Sequence, residues 1–128
     1  MFQAERFRVV RASEVGFPAF YRVIWTEHVA EFSDLSLEDR SLCMAAVTSV
    51  EQVLRERLNP TKINLATLGN MVPHLHWHVI ARFDWDTHFP AAVWAEPKRS
   101  GDPVGEKAVQ GKLPLVEQDM ATRLAQFV

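Results

Sequence analysis

Three histidines alternate with other residues in the stretch PHLHWHVIARF, residues 73–83. His74, His76 and His78 make up three of the five histidines in the chain. Successive side chains of a β-strand point to opposite faces, so these three imidazoles would share one face while the apolar residues between them face a core. The pattern predicts a strand that presents a row of imidazoles.

Such a row is suited to phosphate. Near neutral pH an imidazole can carry a positive charge or donate an N–H hydrogen bond, and both favour an anion. A neutral imidazole nitrogen can also attack phosphorus and form a covalent intermediate. An anion held by His74 and His78 would lie against His76, which is therefore the candidate nucleophile. The product of the attack would be a phosphoramidate that water then splits.

A metal site is the alternative for the same residues, because His-x-His on a strand is a recurring metal pair. His74 and His78 lie roughly 13 Å apart along a strand. Because a zinc–nitrogen bond is only about 2.0–2.1 Å long, all three rings cannot easily reach one ion. Two of the rings could share an ion, with the remaining ligands supplied from elsewhere. The other histidines are His28 and His88, and there is no cysteine pair. We predict no metal and no other cofactor, and a two-histidine metal site stays open as an alternative.

Composition is that of one globular domain. The chain has 128 residues, of which 48% are hydrophobic and 23% charged, and its formal net charge is −2. This balance lacks the basic footprint of a protein that binds nucleic-acid polymers. The single cysteine, Cys43, cannot form an internal disulfide, and the N-terminal segment is neither a signal peptide nor a membrane span. These features predict a cytoplasmic protein with no membrane or nucleic-acid partner.

The order of predicted elements is strand, strand, long helix, strand, strand and tail. Apolar residues recur at helical spacing over 36–58, with Ser36 as the N-cap and Asn59-Pro60 as the stop. The stretches 62–68 and 74–83 are predicted to form an antiparallel hairpin with a short turn, and 84–112 is predicted to be a loop. A C-terminal helix is predicted to start near Pro114. The fold class is therefore α+β, with a mainly antiparallel sheet of about five strands, a long helix and a C-terminal helix.

The sequence resembles the histidine triad (HIT) family. HLHWHVI fits the family pattern of three histidines alternating with apolar residues and followed by two more apolar residues, and INLATLGNMVPHLHWHVIAR resembles the family segment that runs from a strand with an asparagine to the triad strand. RVIWTEHVAEFSDLS resembles the segment that leads into the long helix. The resemblance covers about residues 7–95 of a single domain, 1–128, and does not assign a role to the extension 96–128.

The resemblance implies a nucleotide hydrolase or transferase that is often a homodimer. It acts on the α-phosphate of nucleoside phosphoramidates, dinucleoside polyphosphates or nucleotide sugars. By position, His76 would form a nucleotidyl-histidine intermediate, with its near nitrogen donating to the backbone carbonyl of His74. His78 would bind phosphate oxygens. The nucleotide or phosphate ligands implied by position are Gly69, Asn70 and Asn64.

Two positions depart from the family pattern. Many members carry a fourth histidine at the start of the second strand, where this chain has Phe20. Met71 stands where some branches have a small hydroxyl residue that contacts phosphate. His28 is interpreted as a loop histidine that makes local hydrogen bonds. The departures leave a nucleotide-binding module with weak or no catalysis as an alternative to the hydrolase.

Overall fold

A five-stranded antiparallel sheet forms the centre of the molecule, in a computed structural model that describes all of residues 1–128. The strands lie in the order β1-β2-β3-β5-β4, and every pair of neighbours is antiparallel. Their bounds are Phe2–Gln3 (β1), Phe7–Arg11 (β2), Phe20–Trp25 (β3), Lys62–Ala66 (β4) and His76–Arg82 (β5). Helices α1 (Leu37–Leu58) and α2 (Pro103–Leu124) complete the fold. The predicted α+β class is confirmed.

Strand β3 shows why the sheet has two different faces. Tyr21, Val23 and Trp25 are almost fully buried and belong to the main core. The alternate residues point to the opposite face, as the twofold period of a strand requires. The same alternation in β5 buries Val79 beside α1 and leaves the even-numbered residues on the other face, which we call the histidine face.

Helix α1 begins and ends where the sequence predicts. The Ser36 side chain accepts a hydrogen bond of 3.1 Å from the backbone amide of Asp39, which satisfies one of the free N–H groups of the first turn. Asn59 caps the other end in the left-handed region, with φ of 47°, a conformation that asparagine tolerates better than most residues. The buried side of the helix lies against β5 and β3.

Helix α2 corrects the prediction for the C-terminal segment. It starts at Pro103, not near Pro114, and Pro114 lies inside it. The start follows from Asp102, whose carboxylate accepts from the amide of Gly105, and from a proline at the first helical position, where no N–H is needed. The predicted loop over 84–112 was therefore too long. The extension 96–128 contributes a helix that packs on α1 and shares the main core.

The hairpin of β4 and β5 pairs as predicted but has a longer connection. The strands end at Ala66 and begin again at His76, so nine residues, 67–75, join them instead of a short turn. His74 consequently lies in this loop and not on the strand, although it was predicted to be a strand residue. The loop turns at Gly69, with φ of 81°, a conformation that glycine adopts without strain. No helix in the structure has the length and apolar character needed to cross a membrane.

Candidate active site

The histidine face is built from three neighbouring strands in register. His76 of β5 lies opposite Ile24 of β3, and His78 lies opposite Arg22. On the far side of β3, Arg8 of β2 lies opposite Ile24. Because each pair sits at one level of the sheet, their side chains emerge side by side, about 5 Å apart from strand to strand.

The ring of His76 is fixed in one tautomer by the backbone. Its Nδ1 lies 2.6 Å from the carbonyl oxygen of His74. A carbonyl can only accept, so Nδ1 carries the proton and donates. In the neutral ring the Nε2 lone pair is then free and points away from this contact. The ring is half-buried and lines an open cleft.

His74 takes part through its backbone carbonyl while its ring lies elsewhere. The Nε2 of His74 donates to the carbonyl oxygen of Trp25 at 2.5 Å. Its Nδ1 lies 3.1 Å from Nδ1 of His28, so in the neutral rings His28 donates and His74 accepts. His28 is therefore joined to the triad across 46 residues of sequence and is not limited to local hydrogen bonds. These contacts hold the His74 peptide against the His76 ring.

His78 is buried and neutral at physiological pH. Only 6% of the residue is exposed, and the ring meets His76 edge-on at a centroid distance of 5.0 Å. Burial, the neighbouring His76 and the Arg22 guanidinium lower the pKa of His78 to about 4. Its Nδ1 is buried without a hydrogen-bond partner. A buried N–H without an acceptor costs more than a bare lone pair, which favours the tautomer with the proton on Nε2 as a donor.

Arg82 anchors the loop that covers part of the histidine face. Its guanidinium is 2% exposed, donates to both carboxylate oxygens of Asp86 at 2.9 and 3.1 Å, and reaches the carbonyl of Ala91 at 2.7 Å. Burial alone would raise the pKa of Asp86, but hydrogen bonds from Arg82 and from backbone amides outweigh it and lower the pKa. The loop continues to Trp94, whose ring lies edge-on to His78 at 5.4 Å.

An open cleft of about 480 Å³ lies on the uncovered side of the triad. Its six lining residues are Arg8, Arg22, Ile24, Val72, His74 and His76. A cleft of this size is within the range that binds small molecules. The two arginines were not identified from the sequence, although strand alternation could have found them, since the residues beside each of them in β2 and β3 are apolar and buried.

The three predicted phosphate ligands do not line this cleft. Asn64 lies on β4 opposite Ile80, and its Oδ1 accepts from Arg82 at 2.8 Å, which commits that oxygen to the loop anchor. Gly69 and Asn70 lie in the loop between β4 and β5, and the side chain of Asn70 is exposed without a hydrogen bond to the protein. The cleft is thus lined by His74, His76, Arg8 and Arg22, while His78 packs against the His76 ring without lining the cleft. The three predicted ligands lie outside this group.

Phe20 occupies the level next to His78 at the start of β3. It is 3% exposed and packs with Phe17 and Ile80 in a small apolar cluster. No polar group replaces a fourth histidine at this position. The permanent charge of Arg22 lies two residues further along the same strand, with its guanidinium carbon 5.7 Å from the centre of the Phe20 ring.

The arrangement of ligand side chains does not favour the metal alternative. No group of three or more His, Cys, Asp or Glu side chains is placed to hold a metal ion. Within the triad, one nitrogen of His76 and one of His74 are already committed to backbone carbonyls.

Comparison with known proteins identifies the family. The family model described as HIT domain matches residues 1–85, two thirds of the chain. The chain belongs to the HIT family.

Solved structures of histidine triad proteins share the fold. One from Bradyrhizobium japonicum aligns with a TM-score of 0.76 at 23% identity, covering 93% of this chain and 87% of that one. One from Marinobacter aquaeolei aligns with a TM-score of 0.70 at 26% identity, covering 91% and 86%. A hypothetical histidine triad nucleotide-binding protein from Sulfolobus tokodaii has a TM-score of 0.64 at 14% identity, covering 94% and 82%. A search among proteins of curated function found no match.

Proposed function

We propose that this protein is a nucleotide hydrolase in which His76 attacks the α-phosphorus of a nucleotide conjugate, either a dinucleoside polyphosphate or a nucleoside phosphoramidate. The observation that carries the proposal is the hydrogen bond from Nδ1 of His76 to the carbonyl oxygen of His74. It leaves the Nε2 lone pair of a neutral ring free at the wall of an open cleft. A ring that only bound phosphate as a cation would not need this tautomer.

The same hydrogen bond favours the intermediate over the ground state. When Nε2 bonds to phosphorus, the His76 ring becomes a cation that keeps its proton on Nδ1. A charged donor forms a stronger hydrogen bond to a carbonyl than a neutral donor does. The contact therefore strengthens as the reaction proceeds, which is how a bound group lowers a barrier.

His78 and Arg22 supply the groups for the phosphate oxygens. His78 is neutral at pH 7, since its pKa is about 4, and its Nε2–H can donate to an oxygen of the transition state. Arg22 adds a permanent positive charge on the neighbouring strand, opposite His78. His78 as a neutral donor and Arg22 as a permanent cation together stabilise the negative charge of the transition state. The site therefore does not depend on a protonated His78, which would lose its extra proton at neutral pH.

The reaction balances in two steps. The Nε2–P bond forms while the bond from phosphorus to the leaving group breaks, and the leaving group takes that electron pair. Water then attacks phosphorus, the N–P bond breaks and its electron pair returns to Nε2. The leaving group takes a proton from solvent as it departs in the first step. In the second step the water returns one proton to solvent, and its oxygen and other proton stay on the nucleoside monophosphate.

The test compares wild-type protein with His76→Ala on adenosine 5′-phosphoramidate and on diadenosine tetraphosphate. We expect His76→Ala to lower kcat by at least about 10³-fold while nucleotide binding and the fold persist. His88→Ala is the matched control, because His88 hydrogen-bonds to Thr87 and does not line the cleft. Intact-mass analysis of rapidly quenched wild-type protein should detect a nucleotidyl adduct that is absent from His76→Ala.

Full turnover by His76→Ala would contradict the mechanism. Saturable nucleotide binding with neither turnover nor adduct in the wild type would instead favour the nucleotide-binding module without useful catalysis.

We also propose a homodimer, which the family resemblance implies. Strand β4 is at one edge of the sheet, and exposed apolar side chains lie on it and on the loop that follows. They are Leu65, Leu68, Met71 and Val72. Light scattering on the purified protein tests this, and a monomer at micromolar concentration would contradict it.

A further inference from the structure

We propose that Arg8 and Arg22 select substrates that carry a second phosphoryl group beside the one that His76 attacks. The inference rests on the proposed function of the histidine face and names the substrate chemistry that this face accepts. It assigns a role to two residues that the nucleophilic mechanism alone does not require.

Arg22 is held at the triad with little compensation from the protein. Its position opposite His78 places it on the strand next to the reacting row. Its one ionic contact is with Glu14, at 3.5 Å between a guanidinium nitrogen and a carboxylate oxygen, and both side chains are partly exposed. An exposed pair at that distance stabilises little. The Nε of Arg22 is buried and has no hydrogen-bond partner, so the long contact with Glu14 is the only side-chain hydrogen bond of this guanidinium.

Arg8 extends the positive charge one strand further from the triad. It shares a level with Ile24 and His76, two strands away from β5, which is about 10 Å at the usual strand spacing. Arg8 is exposed and forms no salt bridge and no side-chain hydrogen bond. It lines the same cleft as Arg22, His74 and His76.

The charge of the cleft differs in sign from that of the whole chain. The chain carries a formal net charge of −2, yet the six residues that line the cleft include two arginines and no acidic residue. The positive charge here is therefore a local feature and does not follow from composition. Such a cleft attracts anions and holds them more strongly at low ionic strength.

One phosphate cannot use all of these groups. The attacked phosphate of a nucleotide conjugate has two non-bridging oxygens, and His78 and Arg22, which lie opposite each other on β5 and β3, are sufficient to contact them. Arg8 is separated from His76 by the width of β3, so its guanidinium has a target of its own. The planar guanidinium group binds a phosphate with two parallel hydrogen bonds. The spacing fits a substrate with a second phosphoryl group toward β2.

Binding measurements test the inference without depending on catalysis. Isothermal titration compares AMP, which has one phosphate, with ADP and with adenosine 3′,5′-bisphosphate, which have two. ADP places the added phosphoryl group on the side of the leaving group, and adenosine 3′,5′-bisphosphate places it on the side of the nucleoside. Inorganic phosphate and pyrophosphate form a third pair that is independent of the base.

We expect at least one two-phosphate ligand to bind wild-type protein about tenfold or more tightly than its one-phosphate partner. In Arg8→Gln and in Arg22→Gln this advantage should fall by about fivefold or more, and raising the salt concentration should reduce it in the wild type. Arg55→Gln is the matched control, an exposed arginine on α1 that does not line the cleft, and it should keep the full advantage.

Two results would overturn the inference. One is equal affinity, within about twofold, for every one-phosphate and two-phosphate pair. The other is an advantage that neither arginine variant changes. Either result leaves the test of His76 unaffected, because that test measures turnover and adduct formation. Conversely, if the wild-type protein showed neither turnover nor an adduct at His76, a measured preference for two phosphates would still stand.

Discussion

The rings of Phe20 and His78 pack nearly perpendicular to each other, with 5.5 Å between the ring centroids and an angle of 85° between the planes. Phe20 thus packs against the buried ring of His78, whose Nδ1 has no hydrogen-bond partner. Phe20, at the position where the family resemblance predicts a fourth histidine, has an apolar role. It excludes water from His78 and so helps to keep that ring neutral.

Replacing Phe20 should change the titration of His78. In Phe20→Ala, water can reach Nδ1, and because burial is the leading cause of the low pKa, the pKa of His78 should rise from about 4 toward its ordinary value. Phe20→Leu keeps an apolar cover and serves as the control. NMR titration of the histidine ring signals measures both variants. An unchanged pKa of His78 in Phe20→Ala would show that Phe20 does not shield this ring.

Stability should depend on pH through the same ring. His78 binds a proton below about pH 4 in the folded protein but below about 6.5 in the unfolded chain, so between these values the unfolded chain binds more protons. The stability present above pH 6.5 is therefore lost as pH falls toward 4, by roughly 3 kcal/mol. Urea unfolding of wild type and His78→Gln at several pH values measures the difference. Parallel curves for the two proteins in this window would contradict the assignment.

The buried ion pair between Arg82 and Asp86 should matter far more than an exposed one. Arg82→Met leaves the Asp86 carboxylate buried without its guanidinium partner, and such a loss costs about 3–5 kcal/mol. Arg57→Met removes the exposed contact with Asp119 and should cost less than about 1 kcal/mol. Denaturant unfolding measures both. Equal losses would show that Arg82 does not act through its buried ion pair.

Features that depend on neighbours in sequence could be predicted. Helix α1 is specified locally by Ser36 at its start and by Asn59 at its end, and both ends agree with the structure. The shared face of His76 and His78 follows from strand alternation alone. The antiparallel pairing of β4 and β5 follows from their proximity along the chain, although the length of their connection does not.

Features that depend on distant partners could not be predicted in the same way. The sequence pattern of Arg82, at the end of a strand, is typical of a solvated side chain. Its burial depends on hydrogen bonds to Asn64 and to the carbonyl of Ala91, which only the folded structure brings together. His28 meets His74 only because two loops converge at one end of β3. Pro114 alone predicts a helix start, whereas Asp102 and Pro103 together form a stronger start signal, with Pro103 eleven residues earlier.

Helix α2 should be required for the stability of the domain, since five of its side chains are buried in the main core. Leu113 is 1% exposed, and Leu113→Ala should cost about 2–5 kcal/mol because it leaves a cavity that the core only partly fills. Leu115 lies two residues further along the same helix and is 68% exposed, so Leu115→Ala should change stability by no more than about 0.5 kcal/mol. The pair keeps residue type and helix constant and varies burial alone. Thermal and urea unfolding measure both variants, and equal effects would mean that α2 does not complete the core.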